Sequence, residues 1–433
     1  MYFSIPNSIE IPVQKYSTKH FYRVYQIYVN GVHHCSLRYS QLLTLHQELQ
    51  RLFPMLIKMA QIFPPKKLFD LSAEDIDERR ILLERYLQSI VQRKEFVSCS
   101  CFNEFFLRAQ CETCQMERLI STSSEKILFN VSLLNEEQIH LENIPANLNG
   151  DQLFELCINK FHIDNTYRSF FGLFYYEKNL NQLNIIRPVF SFEAPYLTLK
   201  KLIHTYDNAC LILKKSSWNR DDDSILMENP STCKLLFIQA VYDLEQMRSH
   251  SLVTIDDHVE KLTRENSPKE YIQMVRQAKF YGFILLPSCA ISYLTDEECS
   301  DESLQCLLAI GNYEIICYFT DKRADICFKV TRIRCWKVVL TDEEHCLMFE
   351  YLLKKDTLTW IRLHTKHAPL VSTCLQSMVD EILSRSNHSN PPASVLPSIN
   401  GQHSALLPRR TEADLNRLSN NALFDQGETD DDL

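Results

Sequence analysis

Glycine is scarce in this chain, with seven residues in 433, at positions 31, 150, 172, 282, 311, 401 and 427. No two of them stand close enough to build a Walker loop, a GxGxxG dinucleotide turn or a GxSxG nucleophile elbow, which excludes the common nucleotide-binding and serine-hydrolase chemistries. A continuous run of about eighteen apolar residues is also missing, and the densest stretch, Phe283-Ile284-Leu285-Leu286, is a fraction of a membrane span. The opening Met1-Tyr2-Phe3-Ser4-Ile5-Pro6 has neither the basic region nor the apolar core of a secretory signal. The sixteen cysteines are therefore expected to be free thiols in a reducing, cytoplasmic compartment. The fourteen histidines include no HExxH spacing.

What is present is an asymmetry of charge. Residues 1–110 hold 14 Lys and Arg against 10 Asp and Glu, a net of +4, in a chain whose net charge is −9, so residues 111–433 carry −13. Within the basic part, three elements recur: Arg38-Tyr39-Ser40, Phe63-Pro64-Pro65-Lys66-Lys67, and Glu78-Arg79-Arg80. Any one of these cations alone is an ordinary solvated surface charge. Together they point to an anionic ligand.

The length demands several packed units. Residues 21–39 alternate in strand fashion around Asn30-Gly31, whose turn positions accept positive φ, and predict a hairpin delivering Arg38 at its far end. Leu42, Leu43, Leu45, Leu49, Leu52 and Phe53 repeat at helical spacing, and Ile81, Leu82, Tyr86, Leu87 and Ile90 mark a second helix beyond the Pro pair. Strands at 127–131, 170–176 and 211–213 with a helix near 150–161 suggest a ubiquitin-like unit. The charged break Asn219-Arg220-Asp221-Asp222-Asp223 introduces a helical segment, 232–283. Strands return at 304–310, 313–319, 327–339, 346–353 and 358–363, closed by one helix with Pro369 in its first turn, the pattern of a PH or PTB barrel. Beyond Arg385 the composition is that of a disordered tail, ending in an acidic segment with apolar anchors. The expected fold class is α+β, multidomain.

Four strings, His34-Cys35-Ser36-Leu37-Arg38-Tyr39-Ser40-Gln41-Leu42, Phe63-Pro64-Pro65-Lys66-Lys67-Leu68-Phe69, Arg332-Ile333-Arg334-Cys335-Trp336 and Cys374-Leu375-Gln376-Ser377-Met378-Val379-Asp380-Glu381, occur in an order that resembles the PX-FERM sorting nexins of the sorting nexin-17 and sorting nexin-31 type. The compact length leans toward the shorter, sorting nexin-31 member. The resemblance implies a PX domain over 1–112 and a FERM module made of a ubiquitin-like F1 lobe over 113–218, a helical F2 lobe over 219–284 and a PTB-like F3 lobe over 285–387. A tail over 388–433 follows.

Carried over residue by residue, the lipid is phosphatidylinositol 3-phosphate. Arg38 takes the 3-phosphate, Tyr39 lies on the inositol ring, Ser40 completes the string, Lys66 with Lys67 takes the 1-phosphate, and Arg79 takes the 4- and 5-hydroxyls. The apolar loop between helix and Pro pair suggests Met55, Leu56 and Ile57 as bilayer-inserting residues. The F3 lobe implies capture of Asn-Pro-x-Tyr or Asn-Pro-x-Phe tails of receptors such as integrins or lipoprotein receptors by strand addition. Its candidate groove is Arg332, Ile333, Arg334 and Trp336 with Val371, Cys374, Leu375 and Met378, and Trp336 is its expected anchor. The tail residues Leu423, Phe424, Asp431, Asp432 and Leu433 are read as a linear motif for the Retriever complex, a PDZ ligand being the other option, and Asn421-Ala422-Leu423-Phe424 suggests a tail able to fold back on the groove. A small GTPase is left open as a partner of F1. No cofactor and no nucleic acid is implied, and the expected place is the cytoplasmic face of the early endosome.

Three other readings were weighed against this one. Cys99-x-Cys101 with Cys111-x-x-Cys114 offers four thiolates for zinc, but CxC is not a zinc spacing and 102–108 reads as a core helix, so no metal is expected. An enzyme built on a Cys/His pair is a second reading, and a FERM-type membrane-cytoskeleton linker without cargo sorting is a third.

Overall fold

The structure is a computed structural model, and it describes residues 1–12, 21–66, 72–122, 125–179, 182–253, 267–294, 303–321, 323–341, 344–354 and 357–389. Lys67 and the tail residues Leu423, Phe424, Asp431, Asp432 and Leu433 lie outside the described residues. The chain divides into two units: Met1–Ser216 with Asp223–Tyr242 and Glu265–Ile272, and Ser217–Asp222 with Asp243–Arg264 and Gln273–Leu433.

The first unit begins with a four-stranded sheet, β1 (Phe3–Ser4), β2 (Ser8–Pro12), β3 (Phe21–Val29) and β4 (Val32–Leu37). β3 is central, flanked by β4 on one side and by β2 and β1 on the other. The β3–β4 turn is the expected one, with Asn30 and Gly31 at φ of 49° and 82°. Four helices follow: α1 (Tyr39–Leu52), α2 (Ala73–Val91), α3 (Lys94–Val97) and α4 (Ser100–Met116). A reciprocal cap starts α2, the Ser72 hydroxyl accepting from the Asp75 amide at 3.1 Å while the Asp75 carboxylate accepts from the Ser72 amide at 3.2 Å. The cap sets the phase of the helix, so that Arg79, Leu83, Tyr86, Leu87 and Ile90 face inward.

The same unit continues with β5 (Lys126–Ser132), β6 (Gln138–Pro145), α5 (Gly150–Lys160), β7 (Phe171–Asn179), β8 (Gln182–Pro188), α6 (Pro195–Leu202) and β9 (Ala209–Lys215). The sheet order is β6-β5-β9-β7-β8, with β5 and β9 parallel, which is the ubiquitin-like arrangement. Sequence periodicity missed β6, β8 and α6. β6 alternates buried Ile139 and Leu141 with exposed polar residues over a short span.

One residue of the ubiquitin-like part, Phe192, belongs to the hydrophobic core of the N-terminal domain. Phe192 stacks on Phe190, with ring centroids 5.4 Å apart, and meets Phe3, Phe102 and Phe106 of the N-terminal domain at 5.7, 5.6 and 5.9 Å. Beside it Arg187 grips Glu193 through both guanidinium nitrogens, at 2.6 and 2.7 Å, both side chains being almost fully buried. Burial alone would raise the Glu193 carboxyl, but Arg187 holds it below the ordinary value. Gln110 of α4 ties in, donating to Thr198 at 2.9 Å and accepting from the Ala194 amide at 2.7 Å.

A short helix, α7 (Asp222–Leu226), and a 20-residue one, α8 (Pro230–Ser249), come next, then α9 (Pro268–Val275). The charged break at 219–223 is no solvated linker: Asp222 and Asp223 are buried, and Arg220 donates to the carbonyls of Ala278, Lys279 and Tyr281.

The second unit is built on β10 (Ile284–Leu294), β11 (Leu304–Gly311), β12 (Glu314–Tyr318), β13 (Ile326–Lys329), β14 (Ile333–Leu340), β15 (His345–Lys354), β16 (Thr357–His364) and α10 (Ala368–Ser389). Its strand order is β13-β12-β11-β10-β16-β15-β14. The single strand expected over 327–339 is two, broken by a 3-10 turn at Val330–Arg332. β10 was not expected at all, because Pro287 and the register shift beside it obscure its pattern.

Candidate functional site

The basic elements gather around Tyr39. Arg38 leaves β4 and caps α1, its amide donating to the Gln41 side chain at 2.9 Å, and its exposed guanidinium lies 5.3 Å from the centre of the Tyr22 ring. Tyr39, the next residue, donates its hydroxyl to the Pro64 carbonyl at 2.8 Å and so fastens the Pro-Pro segment to the helix. Lys66 stands two residues beyond, exposed. Arg79 comes in from α2 with its guanidinium carbon 4.6 Å from the centre of the Tyr39 ring. Ser40 is exposed in the first turn of α1.

Arg79 is unlike the other cations. Only 8% of it is exposed, and one terminal guanidinium nitrogen has no hydrogen-bond partner among the described residues. A buried guanidinium with an idle N–H group is unfavourable until an acceptor arrives. Arg80, one residue on, is by contrast engaged by the Ile5 carbonyl and Asp77, each within 2.7 Å.

Beneath Tyr39 lies an aromatic cluster that its sequence pattern did not announce: the Tyr39 ring is 5.6 Å from Phe63. Phe63 lies face to face with His46, ring centres 4.8 Å apart, and edge-on to Tyr86 at 4.9 Å, while His46 and the Tyr86 hydroxyl are 2.8 Å apart. Burial holds the His46 pKa below its usual value. The helical spacing of Tyr39, Leu42 and His46 was the available signal.

The apolar loop places its residues differently from the expectation. Met55 is exposed, but Ile57 is buried in the core and Leu56 packs against it. The residues that face solvent are Met55, Met59 and Ile62, at 75%, 55% and 86% exposure, with Leu52 beside them. The 3-10 turn Ile57–Met59 rotates Ile57 inward and Met59 outward.

In the second unit β14 is an edge strand, paired only with β15 among the described residues, and α10 packs beside it. Trp336 is not an exposed anchor. It is fully buried and donates its indole N–H to Ser372 of α10 at 3.0 Å. Ile333, Val371, Cys374, Leu375 and Met378 are buried too, so Arg332 and Arg334 are the candidates that reach the surface. The register shift between Ile333 and Cys335 turns Arg334 outward, where it pairs with Glu350.

The four thiols weighed for zinc are spread along α4, from Cys99 at its cap to Cys114 in its last turn. Cys101 and Cys111 are thus separated by about 15 Å of helix rise, too far for one ion. Among the described residues no group of three or more candidate ligands could hold a metal. A Cys/His pair does occur, Cys346 opposite His364, but burial pushes that thiol up to about 12, far from a nucleophile's range. No described helix is long and apolar enough to cross a membrane.

Three family profiles match the chain: the PX domain over residues 25–109, the sorting nexin 17/27/31 FERM domain F1 lobe over 127–218, and the sorting nexin 17 FERM C-terminal domain over 282–383. Sorting nexin-17 of Danio rerio is 31% identical over 406 residues, covering 88% of this chain and 81% of its own length. The protein of that name from Homo sapiens is 31% identical over 405 residues, covering 88% and 82%. Sorting nexin-31 of Homo sapiens is 27% identical over 377 residues, covering 83% and 81%, so identity with sorting nexin-17 is the higher of the two. A PX domain followed by FERM lobes of this kind is an adaptor architecture without a catalytic domain, and the chain belongs to the sorting nexin-17 and sorting nexin-31 family.

Proposed function

We propose that this sorting nexin is a peripheral adaptor of the endosome that grips phosphatidylinositol 3-phosphate at Tyr39 and receptor tails along β14. The observation that carries the lipid reading is Arg79, buried against the Tyr39 ring with one guanidinium nitrogen that no described residue bonds. Arg38 presents a planar fork to the 3-phosphate, Lys66 offers a mobile ammonium to the 1-phosphate, and Arg79 donates to ring hydroxyls. Met55, Met59 and Ile62 enter the bilayer beside the headgroup, supplying the second attachment that a single lipid contact needs.

The cargo reading rests on the free edge of β14, which offers unpaired backbone groups to an Asn-Pro-x-Tyr or Asn-Pro-x-Phe segment, with Arg332 and Arg334 flanking it. The terminal Asp431-Asp432-Leu433 is proposed to recruit the Retriever complex, and deleting Leu433 then abolishes that pull-down while lipid binding stays.

Vesicle co-sedimentation tests the lipid reading. Wild type binds vesicles carrying the 3-phosphate lipid, and Arg38→Gln loses at least about tenfold, the loss of one charge-assisted fork. Equal binding by the two proteins would overturn it.

A further inference from the structure

Tyr39 is engaged at two places on its side chain. The Arg79 guanidinium lies over the ring, its carbon 4.6 Å from the centre, while the hydroxyl donates to the Pro64 carbonyl at 2.8 Å. Burial raises the Tyr39 phenol above its ordinary value against the opposing pull of Arg79, so the hydroxyl is a donor throughout the physiological range.

The accepting carbonyl stands where the chain leaves the core. Phe63, just before it, is buried, with its ring 5.6 Å from Tyr39, stacked on His46 of α1 at 4.8 Å and edge-on to Tyr86 of α2 at 4.9 Å. Pro64 is buried as well, and Pro65 and Lys66 are exposed. Both prolines have a fixed φ, and a residue that precedes proline is confined to extended backbone, so few torsions remain free between the Pro64 carbonyl and Lys66. Fixing that carbonyl therefore fixes the direction in which Lys66 enters solvent. A lysine carries a point charge on a flexible stem, and its hold on an anion depends on where the backbone starts that stem. When the start is set in advance, less ordering is left for the ligand to impose.

We propose that the Tyr39 hydroxyl, acting through Pro64, makes Tyr39 the positioning residue for Lys66 and so sets how firmly the pocket holds the 1-phosphate of the headgroup. This rests on the lipid reading given above. It gives the hydroxyl a part in recognition separate from that of the ring, which serves the inositol end.

Calorimetric titration of the full chain with two soluble headgroups tests it: inositol 1,3-bisphosphate, and inositol 3-phosphate, which lacks the 1-phosphate. Tyr39→Phe keeps the ring and removes only the hydroxyl. The expected result is a loss of about fivefold in affinity for inositol 1,3-bisphosphate, with affinity for inositol 3-phosphate within about twofold of wild type. Lys66→Ala should show the same selectivity, and the double variant should lose no more than Lys66→Ala alone, because both substitutions act on one contact. A hydroxyl that only stabilised the fold would not distinguish the two headgroups. If Tyr39→Phe weakens both equally, leaves both unchanged, or adds its full effect to that of Lys66→Ala, the inference is overturned. If wild type and Arg38→Gln bind inositol 1,3-bisphosphate alike, the pocket reading itself fails and the inference falls with it.

Discussion

At the scale of single residues, the molecule uses burial to set the state of its polar groups. Burial depresses His34 to about 3 and, with help from Lys201, His33 to about 4, against an ordinary 6.5. Both are neutral in the fold. Between pH 6.5 and 4 the unfolded chain binds protons that the folded chain does not, so stability is complete above 6.5 and declines as pH falls. Each proton difference steepens that decline by up to about 1.4 kcal/mol per pH unit. Glu193, held below its usual value, adds a loss in the same direction at lower pH. Melting curves from pH 7.5 to 4.5 should show a falling midpoint, with a shallower slope in His34→Gln. A flat profile for wild type would show that these histidines are not buried neutral.

Residue identity was legible in the sequence where a string carries chemistry, and illegible where parity decides. Of the residues named by their motifs, Arg79 lies on the Tyr39 ring, while the Arg38 guanidinium lies over Tyr22. Trp336 was assigned to the surface because an aromatic with a polar N–H suits an interface, yet the turn at Val330–Arg332 and the shifted register set its phase inward. No string reveals such a shift. Trp336→Ala should therefore destabilise the second unit by about 3 to 5 kcal/mol, whereas Arg332→Ala, at a partly exposed position, should leave the melting temperature nearly unchanged and weaken peptide binding. Thermal melting beside peptide titration separates the two.

At the scale of elements, one short turn redistributes the apolar loop. Apolar composition marked residues 53–62, and the 3-10 turn chose Met55, Met59 and Ile62 as the exposed set. Replacing those three with Ser should reduce vesicle binding by at least about tenfold without moving the melting temperature. Ile57→Ser should instead unfold part of the core. The helix α10 is fixed from the side away from its packed face by Glu381, which accepts from the Trp218 amide at 2.9 Å, the Tyr313 hydroxyl at 2.7 Å and Arg385 at 2.9 Å. Glu381→Ala removes the acceptor of the Trp218 and Asn219 amides and of the Tyr313 hydroxyl, while Arg385 keeps Asp222, and should lower the stability of the second unit by about 2 kcal/mol, measured by denaturant titration.

At the scale of the whole molecule, the separate modules were legible in the sequence, but not the ring by which the second enters the core of the first. Phe192 lies 86 and 90 residues from Phe106 and Phe102 of the N-terminal domain, which it packs against, and periodicity cannot report contacts at that distance. Phe192→Ala should cost about 3 to 5 kcal/mol and lower the stability of the PX and ubiquitin-like domains together. Attachment to a vesicle through one pocket raises the local concentration of receptor tails for the rest of the chain, which is how weak peptide contacts become useful.

All of this depends on an anion entering beside Tyr39. The most direct measurement is calorimetric titration of the full chain with soluble inositol 1,3-bisphosphate, free of any bilayer contribution. The account predicts saturable binding at one site that is lost in both Arg38→Gln and Arg79→Gln, with folding intact. Binding that survives both substitutions, or no binding by a folded wild type, would contradict it.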